Sequence, residues 1–323
     1  MKKLLTALLA ALLCLGLAAC SGTQDTGGEA AYTVGICQLV QHEALDAATQ
    51  GFQDALVESL GEDAVSFDLQ NAQNDSNTCS VIINSFVSNG VDLILANATP
   101  ALQAAVAGTG EIPIQCTSVT EYGAALDIEN FDGTVGGNIS GTSDLTSLDE
   151  QAAMIQEWFP EAKTVGMLYC SSEANSLYQV EVVQAELEEL GYTCLDFPFV
   201  DSTDLGAVCM AASEACDVIF VPTDNTVAAN AGIIDNICRP AKVPVMGGDN
   251  GICAGCGVAA LPISYYELGR ITGGMAARIL TGEADISTMP IEYTTAVKTY
   301  NPEICEVLGL TVPEGYTPVV IAE

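Results

Sequence analysis

Positive charge is what this sequence has least of. Its 323 residues include 8 lysines and arginines against 42 aspartates and glutamates, for a formal net charge of -34 at pH 7. A field of that sign repels phosphates and anionic lipid headgroups, so nucleic acid is not an expected partner and the membrane surface is not one either. Histidine occurs once, at His42. That excludes a metal centre built from several histidines and leaves a Ser-His-Asp arrangement a single candidate base. No G-x-S-x-G elbow, Walker loop or G-x-G-x-x-G fingerprint follows a strand-like run. Nothing selects a pair of carboxylates for hydrolysis. The chain is therefore not expected to be an enzyme, and no metal or cofactor is expected. Beyond the first 20 residues no apolar run is long enough to cross a bilayer.

What is present begins with a leader. Lys2 and Lys3 precede an apolar run from Leu4 to Leu17, the n-region and h-region of an export signal. The run closes on Leu17-Ala18-Ala19-Cys20, similar to a bacterial lipobox, in which Cys20 becomes the lipidated first residue of the mature chain; the alternative is an ordinary secretory signal with a chance cysteine. Residues 21–31 are small and polar and read as a flexible tether. Of the 13 cysteines, Cys14 leaves with the signal and Cys20 is taken by lipid, so an odd number remains and at least one thiol is unpaired in a monomer. Cys37, Cys116 and Cys170 fall in or at the ends of apolar strands and Cys209 and Cys238 in helices, where cysteine serves as a small core residue. Cys253-Ala254-Gly255-Cys256 is the only C-x-x-C. It lacks the two further ligands of a zinc site and the context of a redox motif.

The body alternates short apolar runs with amphipathic ones. Strands are expected at Tyr32 to Leu39, Val65 to Leu69, Val91 to Ala96 and Ile114 to Thr117, then again near Thr164 to Tyr169, Thr193 to Phe197, Asp217 to Val221, Val243 to Gly247 and Gly257 to Leu261. Helical faces such as Leu45, Ala48, Phe52, Leu56 and Leu60 lie between them. This spacing indicates an α/β fold of two lobes, each a parallel sheet flanked by helices, and in such sheets ligands bind outside the carboxyl ends of the strands. The chain turns small and polar from Val135 to Asp144, and Asn138 to Asp144 reads as one crossover between lobes, with others near Leu261 to Ser264 and Pro290 to Thr295. Thr99, followed by Pro100, reads as a helix cap.

The turns at the strand ends share one chemistry: Cys170 to Asn175, Pro222 to Thr226 and Gly248 to Asn250 in the second half, Asn97 to Thr99 and Ser118 to Tyr122 in the first. With the lipobox, GICQLVQHEALDAATQGF, ANATPALQAA, SGTSD, VGMLYCSSEANS, VPTDNTV and ELGRITGGMAARIL, the chain resembles the substrate-binding lipoproteins of ABC importers. The nearest branch is the one associated with tryptophan and other aromatic amino acids. The resemblance spans essentially the whole mature chain. It implies a type I periplasmic-binding-protein fold of two Rossmann-like lobes, lipid-anchored outside the cytoplasm, that closes on a small molecule and hands it to an ABC permease and its ATPase. Residues 32–140 with 263–290 are expected in the N-terminal lobe and 141–262 with 291–323 in the C-terminal one, acting as a monomer.

The residues narrow the ligand independently. None of Lys163, Arg239, Lys242, Arg270, Arg278 and Lys298 falls in a predicted strand exit, so a dianionic ligand would find no cationic clamp. The exits instead carry Glu43, Glu121, Glu173, Asp224 and Asp249, one of which can pair with an ammonium group, while helix N-termini and hydroxyls can hold one carboxylate. A zwitterionic amino acid fits both signs; a neutral sugar or nucleoside remains open, as does a ligand-sensing receptor component of the same fold. Expected ligand contacts are Gln38, His42, Thr99, Ser118 and Thr120 from the first lobe, and Ser172, Glu173, Asn175, Asp224, Asn225 and Asp249 from the second. Several of these are equally good turn and capping residues. Tyr122, Tyr265 and Tyr266 lie beside exits and can stack on a ring or simply pack.

Overall fold

A computed structural model describes residues 30–319. The leader, Cys20 and nearly all of the tether lie outside the described residues. Two sheets carry the fold. The first has the order β11-β5-β4-β3-β1-β2, built from β1 (Tyr32–Gln38), β2 (Val65–Asn71), β3 (Leu93–Asn97), β4 (Ile114–Val119), β5 (Ile139–Ser143) and β11 (Glu292–Tyr293), all parallel. The second has the order β13-β12-β10-β9-β8-β6-β7, from β6 (Thr164–Cys170), β7 (Thr193–Phe199), β8 (Val218–Val221), β9 (Val245–Gly247), β10 (Ala259–Ala260), β12 (Thr299–Tyr300) and β13 (Thr317–Pro318). Only β12 runs antiparallel to its neighbour β10. Each sheet winds outward from its first strand in both directions, so β1 and β3 in one, and β6 and β8 in the other, flank a point where the winding reverses. Crevices outside the carboxyl ends of strands form at such points.

Both faces of each sheet are covered. Ile94, Cys116 and Ile114 meet the Ser76–Asn89 and Thr99–Gly108 helices through Ile83, Phe86, Ala101 and Leu102; the opposite face joins Val34, Ile36 and Leu95 to Phe52 and Leu56 of the Glu43–Leu60 helix and Ala276 of the Tyr265–Leu280 helix. Full burial of one such side chain contributes about 1.5–3 kcal/mol. The cysteines of the described residues are free and mostly buried, with Cys37, Cys116 and Cys170 in strands and Cys209 and Cys238 in neighbouring helices, their sulfurs 3.6 Å apart.

The chain passes between sheets after β5, after β10 and after β11. Residues 141–143 and 292–293, which the sequence reading places in the second lobe, pair in the first sheet as parts of β5 and β11. Sequence patterning misses β5 because Ile-Ser-Gly-Thr-Ser has no apolar alternation. Its burial rests on fit instead: Thr142 Oγ1 lies 2.9 Å from Thr272 Oγ1 on the Tyr265–Leu280 helix, and a Cβ on Gly141 would stand 2.1 Å from the Cys116 carbonyl oxygen. That helix lies equally close to the Glu43–Leu60 helix, where a Cβ on Gly269 would stand 2.0 Å from the Ala48 carbonyl oxygen. This backbone contact fixes the start of the helix, and with it Tyr265, at the junction of the lobes.

Candidate ligand-binding cleft

The cleft is assembled from strand exits of both sheets. His42 follows β1, Ser118 and Thr120 end β4, Asp144 follows β5, Asn175 follows β6, Thr223 to Asn225 follow β8, Asp249 follows β9, and Tyr265 opens the helix after the second passage; Leu45 and Ala228 add apolar wall. The lobes are closed over it. Nε2 of His42 lies 3.3 Å from Asn225 Oδ1, and nearer the mouth Asn74 Nδ2 donates to Thr226 Oγ1 at 2.9 Å. The enclosed free volume is about 10 Å³, room for about one water molecule.

The backbone is strained on the first lobe's side. Ala98 takes φ 95° and Ser118 φ 55°, left-handed values that cost a residue with a Cβ about 1–3 kcal/mol each. Ser118 sits where the β4–β5 register shifts. These two outliers stand at the ends of adjacent strands, and each precedes or bears a buried hydroxyl without a partner, Thr99 Oγ1 and Ser118 Oγ. Thr99 therefore does not cap its helix through its side chain, contrary to expectation; Ala98 occupies the cap position and the Thr99 hydroxyl is left free.

The cavity walls are acidic on both sides. Asp144, Asp224 and Asp249 are all buried, and none of the six basic side chains of the described residues lines the cavity. Arg239, Arg270, Arg278 and Lys298 pair with acids elsewhere, and Lys163 and Lys242 are exposed. Burial pushes the Asp224 carboxyl up to about 8, with the negative charge of Glu173 adding to the effect. Burial likewise pushes Asp249 up to about 7 and raises Asp144 against the hydrogen bond it receives from Tyr265. The His42 imidazole is lowered by burial. A cavity of this kind favours a cation, which would restore the charged form of each acid.

Seven of the expected contacts converge on the cavity: His42, Ser118, Thr120, Asn175, Asp224, Asn225 and Asp249. Four do not line it. Gln38 is spent inside the first lobe, its amide donating to Val40 O and Asp46 Oδ1 while its oxygen accepts from Thr49 Oγ1. Thr99 is buried within the first lobe. Ser172 and Glu173 face a separate groove at the mouth, with Asn74 and Val200. Glu173 is the internal acceptor of the second lobe: its carboxylate receives Asn225 N, Asn225 Nδ2, Thr226 N, Thr226 Oγ1 and Asn175 Nδ2 at 2.7–3.1 Å. It thereby orients two cavity residues. Asp144 was not among the expected contacts, because β5 is not legible as a strand; had it been, the rule that selects strand exits would have named it.

Comparison with known proteins places this geometry. The family model for ABC transporter substrate binding proteins matches residues 33–317, and the chain belongs to this family. Its fold is that of the type I periplasmic binding proteins, and it is a binding protein rather than an enzyme. A tyrosine-binding protein of Clostridioides difficile (strain R20291) is 32% identical over 286 residues, 87% of this chain and 83% of that protein. The structure of an ABC domain from Streptococcus pneumonia in complex with L-Trp is 30% identical, with a TM-score of 0.85 over 90% of this chain and 99% of that one. The ligand-free, open structure of a substrate binding protein with adhesive properties from Clostridium difficile is 35% identical, with a TM-score of 0.68 over 90% of this chain and 100% of that one.

Proposed function

We propose that this chain captures an aromatic amino acid, as the zwitterion, between its lobes and delivers it to an ABC permease and its ATPase. The observation that carries the reading is the cavity's charge pattern: buried carboxyls from three strand exits drawn from both sheets, no cation, and the unpartnered buried hydroxyl of Ser118. The acids suit an ammonium group. Ser118, whose buried hydroxyl lines the cavity without a partner, suits a single carboxylate. The relatives support the side chain: one is named for tyrosine and another was solved with L-Trp. The chain as a whole superposes better on that complex than on the open structure, although the open protein is the more similar in sequence, which supports a closed arrangement of the lobes. A ligand that touches both lobes stabilises the closed form by population shift. Since the closed cavity is far smaller than an amino acid, entry requires rotation about the three passages between sheets. Cys20 provides the lipid anchor, the first 20 residues the export signal, and the chain works as a monomer outside the cytoplasm.

The test is thermal unfolding of the protein lacking residues 1–20, stripped of carried-over ligand by unfolding and refolding, with amino acids, sugars and nucleosides. At a hundred times its dissociation constant, a ligand specific for the folded state adds about 2.7 kcal/mol. The largest shift is expected from tyrosine or tryptophan. A shift from a sugar or nucleoside alone would keep the transport role and overturn the zwitterion.

A further inference from the structure

Of the acids that meet in the cleft, Asp224 is occupied on both oxygens by the fold. Asp224 Oδ2 accepts from Cys170 N at 2.7 Å and Ser176 Oγ at 2.8 Å, and its Oδ1 caps Val227 N at 2.9 Å. Asp249 Oδ1 caps Ile252 N at 2.9 Å, and its Oδ2 has no hydrogen-bond partner in the fold. Asp144 is distinguished by burial and position. Its Oδ2 accepts from Tyr265 OH at 2.8 Å, while Oδ1 is fully buried and makes no hydrogen bond of normal geometry, on a residue only 5% exposed whose carboxyl also lies near the Thr120 hydroxyl. A second acceptor in the same cavity is also free. The amide of Asn175 is oriented by its Nδ2 donating to Glu173 Oε2 and Thr223 O, which leaves its Oδ1 buried and unpaired. An unpaired carboxylate oxygen and an unpaired amide oxygen are costly to bury and are satisfied together by a donor that carries positive charge.

The position of Asp144 adds a mechanical role. It follows β5 at the first passage between the sheets, and its backbone N–H reaches back to Val119 O at the end of β4. Tyr265 follows the second passage, held by the close contact of its helix with the Glu43–Leu60 helix. The Tyr265–Asp144 hydrogen bond therefore ties two of the three hinge passages together at the cavity wall.

We infer that Asp144 is the counter-ion of the ligand's ammonium group and that Tyr265 is its positioning residue, so that the ligand's positive charge is read at the hinge. This rests on the zwitterion reading above and assigns its cationic half to one carboxylate. Ion pairing at Oδ1 leaves the Oδ2 bond to Tyr265 intact and holds the two passages in their closed register. Asn175 brings the second lobe's acceptor to the same group.

The test crosses protein variants with ligands that lack the ammonium. Affinities for L-tyrosine and L-tryptophan are measured by titration calorimetry beside 3-(4-hydroxyphenyl)propionate and 3-(indol-3-yl)propionate, using the wild-type protein, Asp144→Asn, Asp249→Asn and Tyr265→Phe. Asp144→Asn is expected to weaken the amino acids by about 10- to 100-fold, the range of a hydrogen bond to a charged group. It should change the propionates by less than about threefold. Tyr265→Phe should show the same selectivity with a smaller loss, and Asp249→Asn should weaken both ligand classes alike. A purely structural role for Asp144 would also weaken both classes alike, and that result overturns the inference while leaving the zwitterion reading in place. Selective loss in Asp249→Asn instead assigns the ammonium there and overturns it too. If the wild-type protein binds neither amino acid, the inference and the reading beneath it fall together. Should Asp144→Asn fail to fold, Tyr265→Phe, which retains the ring, decides: equal loss for both ligand classes refutes the hinge coupling.

Discussion

Replacing Glu173 by glutamine should damage this protein more than any ligand-contact change, because the residue supports the cleft from behind. Its two oxygens accept from five donors on three residues, Asn175, Asn225 and Thr226, and the side chain is only 3% exposed. Glutamine keeps the shape but presents an NH2 group to one set of those donors. If the retained oxygen faces Thr226, then Asn225 N, Asn225 Nδ2 and Asn175 Nδ2 lose their acceptor and meet a donor. Each hydrogen bond to a charged group is worth about 1.5–3 kcal/mol, but bonds sharing one carboxylate are not additive, so the loss should be about 3–5 kcal/mol. The assay is urea unfolding at pH 7 with the ligand absent. A second consequence is electrostatic: the Glu173 charge contributes, after burial, to holding the Asp224 carboxyl near 8, so the variant should carry Asp224 at a lower value. Carboxyl titration by carbon-13 NMR reads this directly. A stability loss under about 1 kcal/mol would mean that the donors have other partners, and an unmoved Asp224 would mean that burial alone sets its proton affinity; either result refutes the support role argued for Glu173.

Two further outcomes follow from the same geometry. Asp224 and Asp249, pushed up to about 8 and about 7, hold protons in the folded chain that the unfolded chain has released above about pH 4. Their burial therefore costs nothing below that pH, and stability falls by several kcal/mol as pH rises toward 8; urea midpoints that stay level between pH 5 and 8 would contradict this. Gly269→Ala puts a Cβ 2.0 Å from the Ala48 carbonyl oxygen and must part the two helices that seat Tyr265, at a cost of about 3 kcal/mol or more, whereas Gly274→Ala on the same helix meets nothing within 4 Å and should be neutral or slightly stabilising; equal effects on the unfolding midpoint would show that the helix contact is not tight.

Much of this arrangement is legible before any coordinates. Strands such as Leu93–Asn97 are wholly buried and read as apolar runs bounded by Gly90 and the polar Asn97 to Thr99 turn, so two physical signals agree. What is not legible has a common cause: it depends on close approach rather than on hydrophobicity. β5 is a buried strand made of small residues, admitted because Gly141 lies against the Cys116 carbonyl and Thr142 meets Thr272, a residue 130 positions away. No local pattern encodes that meeting. Asp144 is missed for the same reason, since it reads as part of a polar turn until the strand before it is seen.

The capping question shows why turn chemistry and ligand chemistry resist separation in sequence. Asp224 and Asp249 lend themselves equally to capping and to ligand contact, and the structure shows that they cap and line the cavity at once: each gives one oxygen to a helix N–H and remains in the cleft wall. Thr99 was expected to cap and does not; its helix begins at a strained Ala98, and its hydroxyl is left unpaired. Glu173 sits at a cap position, yet its carboxylate accepts no backbone N–H of its own helix and is bonded instead to the backbone of residues 225 and 226 and to the Asn175 side chain. The residue types at these exits are therefore set by a shared demand for short polar acceptors beside unpaired backbone N–H groups. Which of them is left with an oxygen to spare is decided only by the tertiary partners. On that criterion Asp144, Asn175 and Ser118 stand apart in the cleft, because each carries a buried oxygen that makes no hydrogen bond within the fold.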